Sequence, residues 1–329
     1  MLKSARLLLA PRLALIASGL LITQLAQAEW YTDEQQKMGT RVEVQLWAED
    51  AVEARRLLAE AMAEFDRIEI LMSTYIPTSE MSRINANAAK EPQVVSPELF
   101  QLLQRSLSVS TMTGGAFDIS YDSVGYLYDF RAHKRPGAAD IASRLDKIDY
   151  RLIELDEDAK TVHFKVDGVR INLGGIAKGY AVERVIALLA KNGIDHALAT
   201  AGGDTRLLGD RLGKPWIVGI RDPNKGDAIF TRLALDNEAI STSGDYERYF
   251  IEDGQRYHHI LQPSTGEPVR GVRSVTIIGP DATLTDALST SVFVMGPEKG
   301  LDLIATLPGY EAVVITDDKL YYSEGLNPG

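Results

Sequence analysis

The 329-residue chain contains no cysteine. That excludes a structural disulfide, a thiolate zinc site and a cysteine nucleophile, all of which need sulfur. The signatures G-x-x-x-x-G-K-[ST], G-x-G-x-x-G, H-E-x-x-H and G-x-S-x-G are also missing. So are the loops they build for nucleotides, zinc and serine nucleophiles. Positive charge is scarce: 35 Lys and Arg stand against 46 Asp and Glu, a net charge of −11. A basic footprint for duplex nucleic acid is therefore absent, and docking on anionic lipid is disfavoured. A local site for a phosphorylated small ligand stays open. No internal repeat, low-complexity stretch or linker interrupts the chain. What remains is an ordinary globular composition, 45% hydrophobic and 25% charged, in a chain long enough to bury a sizeable core.

The N-terminus reads as an export signal. Lys3, Arg6 and Arg12 give a positive start, Leu13 to Leu25 is largely apolar and uncharged, and Ala26-Gln27-Ala28 has the small-x-small cleavage pattern. That uncharged run is well short of the ~20 residues a membrane span needs. Without a cysteine after the cleavage point there is no lipoprotein anchor, and twin arginines are absent. The expectation is a signal peptide over 1–28 and a periplasmic mature chain over 29–329, with net charge −14 once the three leader cations are gone.

Along the mature chain, Arg41 to Trp47 alternates polar and apolar, which predicts a half-buried strand. Ala51 to Met72 carries apolar residues at helical spacing. Ser96-Pro97-Glu98 opens a helix that runs to about Met112, with a hydroxyl cap, proline in the first turn and an acid at the positive dipole end. A third helix covers Lys178 to Asn192 and is closed by Gly193. Short apolar runs then alternate with Gly, Pro, Asn and Asp: Ala197–Thr200, Trp216–Ile220, Arg232–Leu235, Tyr246–Ile251, Tyr257–Leu261 and Ser274–Ile278. A helix from about Leu284 to Met295 follows, and Glu311–Thr316 with Lys319–Tyr322 predicts a closing hairpin. Helices early and strands late, with mixing between, give an α+β class.

Four segments carry residue types suited to chemistry. Glycines in Asn172-Leu173-Gly174-Gly175-Ile176-Ala177-Lys178 stand just before a helix start, where backbone N–H groups favour phosphate. A tight strand-to-helix turn needs the same small residues. Asp286 and Thr290 are four apart on one helix face. They are hard oxygen donors that suit Mg²⁺, although an exposed aspartate and a back-bonded threonine have the same spacing. His258 and His259 are adjacent on a strand and point to opposite faces, so at most one faces a given site. In Gly114-Gly115-Ala116-Phe117-Asp118, a carboxylate follows an aromatic after a helix stop, which fits a ring-binding loop or a capped turn. Ala201-Gly202-Gly203-Asp204 is a similar glycine turn at a strand end.

Taken together and in order, these segments resemble the ApbE family, the FAD:protein FMN transferases. The resemblance also takes in Met38-Gly39-Thr40, Met72-Ser73-Thr74-Tyr75, Ser79 to Asn85, Ser241 to Asp245 and His258 to Gly266. It implies a single ApbE-type α+β domain over 29–329 with a T-fold-like part, its mixed sheets flanked by helices. It also implies FAD as donor substrate and Mg²⁺ as cofactor. FMN would pass from FAD to a threonine hydroxyl of a target protein, with release of AMP. The implied targets are subunits of exported or membrane redox systems: sodium-pumping quinone reductase, Rnf-type complexes and nitrous-oxide-respiration proteins.

By resemblance, Met38, Tyr75, Ala116, Phe117, Asp118, Asn172, Lys178 and Ile260 match FAD contacts. Gly175 matches a carbonyl ligand of Mg²⁺, Asp286 and Thr290 its side-chain ligands, and His259 the catalytic histidine. Asp245 is a second candidate base. Two departures stand out: Asn172 where several members carry Asp, and Gln262 where many read His-x-x-Asp-Pro. An FAD pyrophosphatase and a non-catalytic FAD carrier are the competing readings. A periplasmic solute-binding protein would show two similar α/β lobes, which the pattern lacks.

Overall fold

The structure, a computed structural model, describes residues 28–225 and 228–326. The expected signal peptide falls on residues 1–27, outside those described, apart from Ala28.

The frame is an eight-stranded sheet whose strands lie side by side in chain order: β1 (Glu29–Lys37), β2 (Thr40–Ala48), β3 (Ala197–Ala201), β4 (Asp204–Leu208), β5 (Ala239–Gly244), β6 (Val272–Gly279), β7 (Glu311–Thr316) and β8 (Leu320–Tyr322). Every pairing in it is antiparallel. The helices enter as long excursions between strands: α1 (Ala51–Met72), α2 (Glu80–Asn87), α3 (Pro97–Met112) and α4 (Ala177–Lys191) between β2 and β3, then α5 (Ala282–Met295) and α6 (Pro297–Ala305) between β6 and β7. This is the α+β class expected.

Period-2 patterning sets the two faces of the sheet. Val42, Val44 and Leu46 of β2 and Ala197, Ala199 and Ala201 of β3 are fully buried in the cluster that holds α1 and α4. Val275 and Ile277 of β6 pack with Leu288, Val292 and Phe293 of α5. On the opposite face, Leu207, Ile240 and Ile278 pack with Trp216 and Leu235 of the two-stranded ribbon Trp216–Arg221/Ile229–Leu235. The apolar stripe of α1 is buried as its spacing predicts: Leu57, Ala61, Phe65 and Ile68 are fully inaccessible. Its N-cap Asp50 accepts from Val52 N at 2.7 Å and Glu53 N at 3.1 Å.

Several elements were not foreseen, among them β1, β4, β5, α2 and α6. β1 is mostly polar, Thr32-Asp33-Glu34-Gln35-Gln36-Lys37, because it is the sheet edge, where charge blocks pairing with other chains. It joins β2 through Met38 (φ 52) and Gly39 (φ 70), the double positive-φ pair that a tight hairpin of this twist requires. The helix α2 is capped by Ser79, whose hydroxyl accepts from Ser82 N at 2.9 Å. Farther along, the expected strand Tyr246–Ile251 is Tyr249–Glu252, which pairs with Gln255–His258 as a separate hairpin.

Candidate active site

The site is organised where α4 meets α5. Gly179, in the first turn of α4, has no room for a side chain: a Cβ there would lie 2.1 Å from Ala282 O and 2.6 Å from Asp286 Cβ. The two helices touch at this glycine. The residue before the helix, Ile176, offers no side-chain cap. Asp286 of α5 supplies part of one, its Oδ2 accepting from Gly179 N at 2.9 Å. A carboxylate at a helix N-terminus is well placed for the dipole.

Lys178, beside Gly179, is thereby drawn between two buried acids. Its Nζ bonds Asp204 Oδ2 and lies 3.6 Å from Asp286 Oδ1. Asp204 opens β4 after Gly202-Gly203, and Gly203 is required because a Cβ would sit 2.5 Å from Thr242 O of β5. Burial works to lower the Lys178 pKa, but the two carboxylates outweigh it and raise it, so the ammonium stays charged. Burial and the Asp204 charge push Asp286 up to about 7, against the pull of Lys178 and the Gly179 N–H.

One helical turn beyond Asp286, Thr290 meets the glycine turn before α4. A Cβ on Gly175 would lie 3.2 Å from Thr290 Oγ1 and 3.2 Å from the Phe117 ring. Ser243 Oγ of β5 is 2.7 Å from Ser289 Oγ and 3.4 Å from Thr290 Oγ1. Asp286 and Thr290, one turn apart on α5, thus bring hard oxygen donors to the Gly175 turn, which Thr290 touches. Among the described residues no group of three or more His, Cys, Asp or Glu gathers around a point. The donor set is of oxygen alone. It fits Mg²⁺, which takes few protein ligands and fills its shell with water and phosphate oxygens.

Asn172 lies just upstream, with its side chain fully used. Oδ1 accepts from Gly174 N at 2.8 Å; Nδ2 reaches Thr74 Oγ1 and Asp122 Oδ1, both at 3.3 Å. Asp122 is buried, and burial raises its pKa against Arg170 and Asn172. A second carboxylate at 172 would face it, so asparagine here has an electrostatic reason. Asp118 turns inward: Oδ1 accepts from Ser120 N at 2.8 Å and Ser120 Oγ at 2.6 Å, and Oδ2 from Tyr150 N at 2.8 Å. Its carboxylate braces the Ala116-Phe117 loop, which packs Phe117 (4% exposed) under Gly175.

The two histidines divide, but only His258 is on a strand: Gln255–His258 ends there and His259 follows in a bend. His258 is buried, with Nε2 donating to Val269 O at 2.8 Å, Nδ1 accepting from Ile260 N at 3.3 Å, and its ring edge-on to Phe293. His259 turns the other way. Its N–H donates to Arg248 O at 3.2 Å, and its Nδ1 is buried without a hydrogen-bond partner among the described residues. Burial, the positive charges of Arg248 and Lys178, and neighbouring His258 lower its pKa to about 3, so the ring is neutral. Ile260, buried behind it, packs with Phe293 and Leu288. Met38, in the β1–β2 turn, donates its N–H to Glu69 Oε2 at 2.8 Å. Tyr75 stands 84% exposed in the loop between α1 and α2.

The structure thus brings Gly175, Lys178, Asp286, Thr290, Phe117 and Asn172 together around the start of α4, with His259 in reach of the Lys178 charge. Asp245, the second candidate base, lies with its Oδ2 2.9 Å from Arg256 Nη1 and 3.0 Å from Arg273 Nε, while its Oδ1 is buried without a hydrogen-bond partner among the described residues. Two residues were missed. Asp204 was quoted only as the end of a glycine turn, and its tie to Lys178 spans 26 positions with no periodic signal. Arg248 has a guanidinium 3.2 Å from where a Gly39 Cβ would be, and no motif announces it.

With this geometry in place, the family model described as ApbE family matches residues 38–314. The chain belongs to the ApbE family. It is 32% identical over 313 residues to the FAD:protein FMN transferase of Treponema pallidum, covering 89% of this chain and 86% of that protein. It is likewise 32% identical over 286 residues to an FAD:protein FMN transferase of Klebsiella pneumoniae, covering 86% and 88%. Among solved structures, the ApbE protein of Thermotoga maritima superposes with TM-score 0.84 at 33% identity, covering 90% of this chain and 98% of that one. The flavin transferase ApbE of Vibrio cholerae superposes with TM-score 0.81 at 28% identity, covering 91% and 98%. As an ApbE-family member the chain is an enzyme of the transferase class.

Proposed function

We propose that this chain is an Mg²⁺-dependent FAD:protein FMN transferase that moves FMN from FAD to a threonine hydroxyl of an exported redox protein and releases AMP. The observation that carries this reading is the cluster at the start of α4. There Gly175, Asp286 and Thr290 offer hard oxygens beside the Lys178 ammonium, with neutral His259 in reach of that charge. Such a cluster suits a metal-complexed diphosphate. Asp286, Thr290 and the Gly175 carbonyl would hold Mg²⁺, which supplies charge neutralisation on the diphosphate.

The chain's own residues account for the rest. Lys178, at the N-terminal end of α4, favours the anion. Phe117 and the loop braced by Asp118 form an apolar wall for the flavin ring, with Met38, Tyr75, Asn172 and Ile260 as further contacts. His259 is the base. The charges of Arg248 and Lys178 hold its pKa down, and a bound diphosphate offsets them, so its basicity rises when substrate arrives. The threonine Oγ attacks the phosphorus on the FMN side and its proton passes to His259. The P–O bond to AMP breaks, and AMP leaves with that electron pair. The leader-like residues 1–28 support a periplasmic location, and quinone reductase, Rnf-type or nitrous-oxide-respiration subunits are the targets proposed.

The test incubates the mature chain with FAD, Mg²⁺ and a target domain carrying an acceptor threonine, read by intact mass. One added FMN, lost with EDTA, supports the reading. Free FMN and AMP without labelled protein would make the chain an FAD pyrophosphatase, and unchanged bound FAD a carrier. Asp286→Asn keeps an acceptor for Gly179 N–H and removes the charge. It should cut transfer by about 100-fold or more, the scale of removing one electrostatic group at a reacting centre.

A further inference from the structure

Lys178 is shared unequally. It bonds Asp204 Oδ2, whereas Asp286 Oδ1 is 3.6 Å from its Nζ. Both acids are buried, Asp204 at 1% and Asp286 at 2% exposed. Asp286 Oδ2 is taken by Gly179 N–H at 2.9 Å. Asp204 Oδ1 is buried and has no hydrogen-bond partner among the described residues. One ammonium thus faces two carboxylates in a poorly screened interior, where unit charges a few ångströms apart interact strongly. Both anchors are rigid. Gly203 fixes Asp204 against β5, and Gly179 fixes Lys178 against α5.

A divalent cation that takes Asp286 Oδ1 must compete with an ammonium already beside it. We propose that Asp204 is a positioning residue that holds Lys178 off Asp286, so that the Asp204–Lys178 pair sets how tightly the site binds a divalent cation. Lys178 is the built-in competitor. Asp204 Oδ1 gives its ammonium a second acceptor when Asp286 turns to a metal. Without Asp204 the ammonium would close on Asp286 and occupy it. The inference rests on the metal reading above.

The probe is Mn²⁺ alone, titrated into the mature chain without flavin and followed by electron paramagnetic resonance. Lys178→Gln should bind Mn²⁺ about tenfold tighter, and Asp204→Asn about tenfold weaker, the scale of one partly screened neighbouring charge. The double variant K178Q/D204N should return near the unsubstituted chain, because it removes one charge of each sign. A merely structural role for these residues would weaken binding in all three. Unchanged or weaker binding in K178Q, or unchanged binding in D204N, with cooperative melting retained, overturns the proposal. If K178Q does not fold, D204N decides alone. If no form binds Mn²⁺, the metal reading falls and this inference with it. FAD binding measured in EDTA then shows whether the flavin reading survives.

Discussion

At position 172 an amide stands against a buried carboxylate. Asn172 Nδ2 donates toward the buried Asp122 carboxylate, and burial already raises that group's pKa. Asn172→Asp would replace the donor with a second carboxylate. The expected cost is about 1–3 kcal/mol at pH 7, the price of a buried polar group left unmatched. The cost should shrink toward pH 5 as the acid pair takes up a proton. Chemical denaturation of both forms at the two pH values measures it, and a cost that stays flat with pH would remove the electrostatic explanation. His258 gives a second residue-scale expectation. Burial lowers its pKa below the ordinary 6.5, so below about pH 6.5 the unfolded chain takes a proton that the native ring refuses. Its stabilising contribution is full above pH 6.5 and is lost as pH falls below it. His258→Gln can still donate to Val269 O. The difference in denaturant midpoint between the two proteins should therefore be largest near pH 7.5 and smaller at pH 5.5.

Helices and strands read well from the sequence where burial is one-sided and failed where it is not. The α1 stripe, the Ser96-Pro97 start of α3 and the β7–β8 hairpin all form as their spacing predicts. β1 was missed because an edge strand carries polar residues on purpose, and α2 because it buries only Met81 and Ile84. Contact between α4 and α5 is a property of neither helix alone. It depends on Gly179, where Ala282 O would stand 2.1 Å from a Cβ. Gly179→Ala must push the helices apart and should cost about 3 kcal/mol, the upper range for overpacking. It should also draw the Gly175 turn away from Thr290, so a lower melting temperature should come with weaker divalent-cation binding. A variant as stable as the parent would show that the helices can slide.

The whole molecule is a chain-ordered antiparallel sheet that hangs its site on two helix-bearing excursions, β2 to β3 and β6 to β7. Phe117 and Gly175 of the first excursion meet Thr290 of the second only because the sheet sets these excursions side by side. A ligand that spans them should stabilise the native state by mass action, by about 2.7 kcal/mol at a hundredfold excess over its dissociation constant. FAD with Mg²⁺ should therefore raise the melting temperature by several degrees, more than either alone, as differential scanning fluorimetry would report. An equal rise with FAD alone would separate flavin binding from the metal.

The sequence by itself determined the secondary elements with strong periodicity, the α+β class and the family, because helix faces, caps and glycine turns are local and leave their marks within a few residues. It also brought the right segments to notice: Asn172 to Lys178, Asp286 with Thr290, and the paired histidines. Tertiary structure decided how those segments are used. It turned Asp118 inward as a brace, set Asp245 Oδ2 beside two arginines and placed Lys178 between Asp204 and Asp286. Charge pairing and burial act through space across tens of positions, and only the folded sheet fixes those distances.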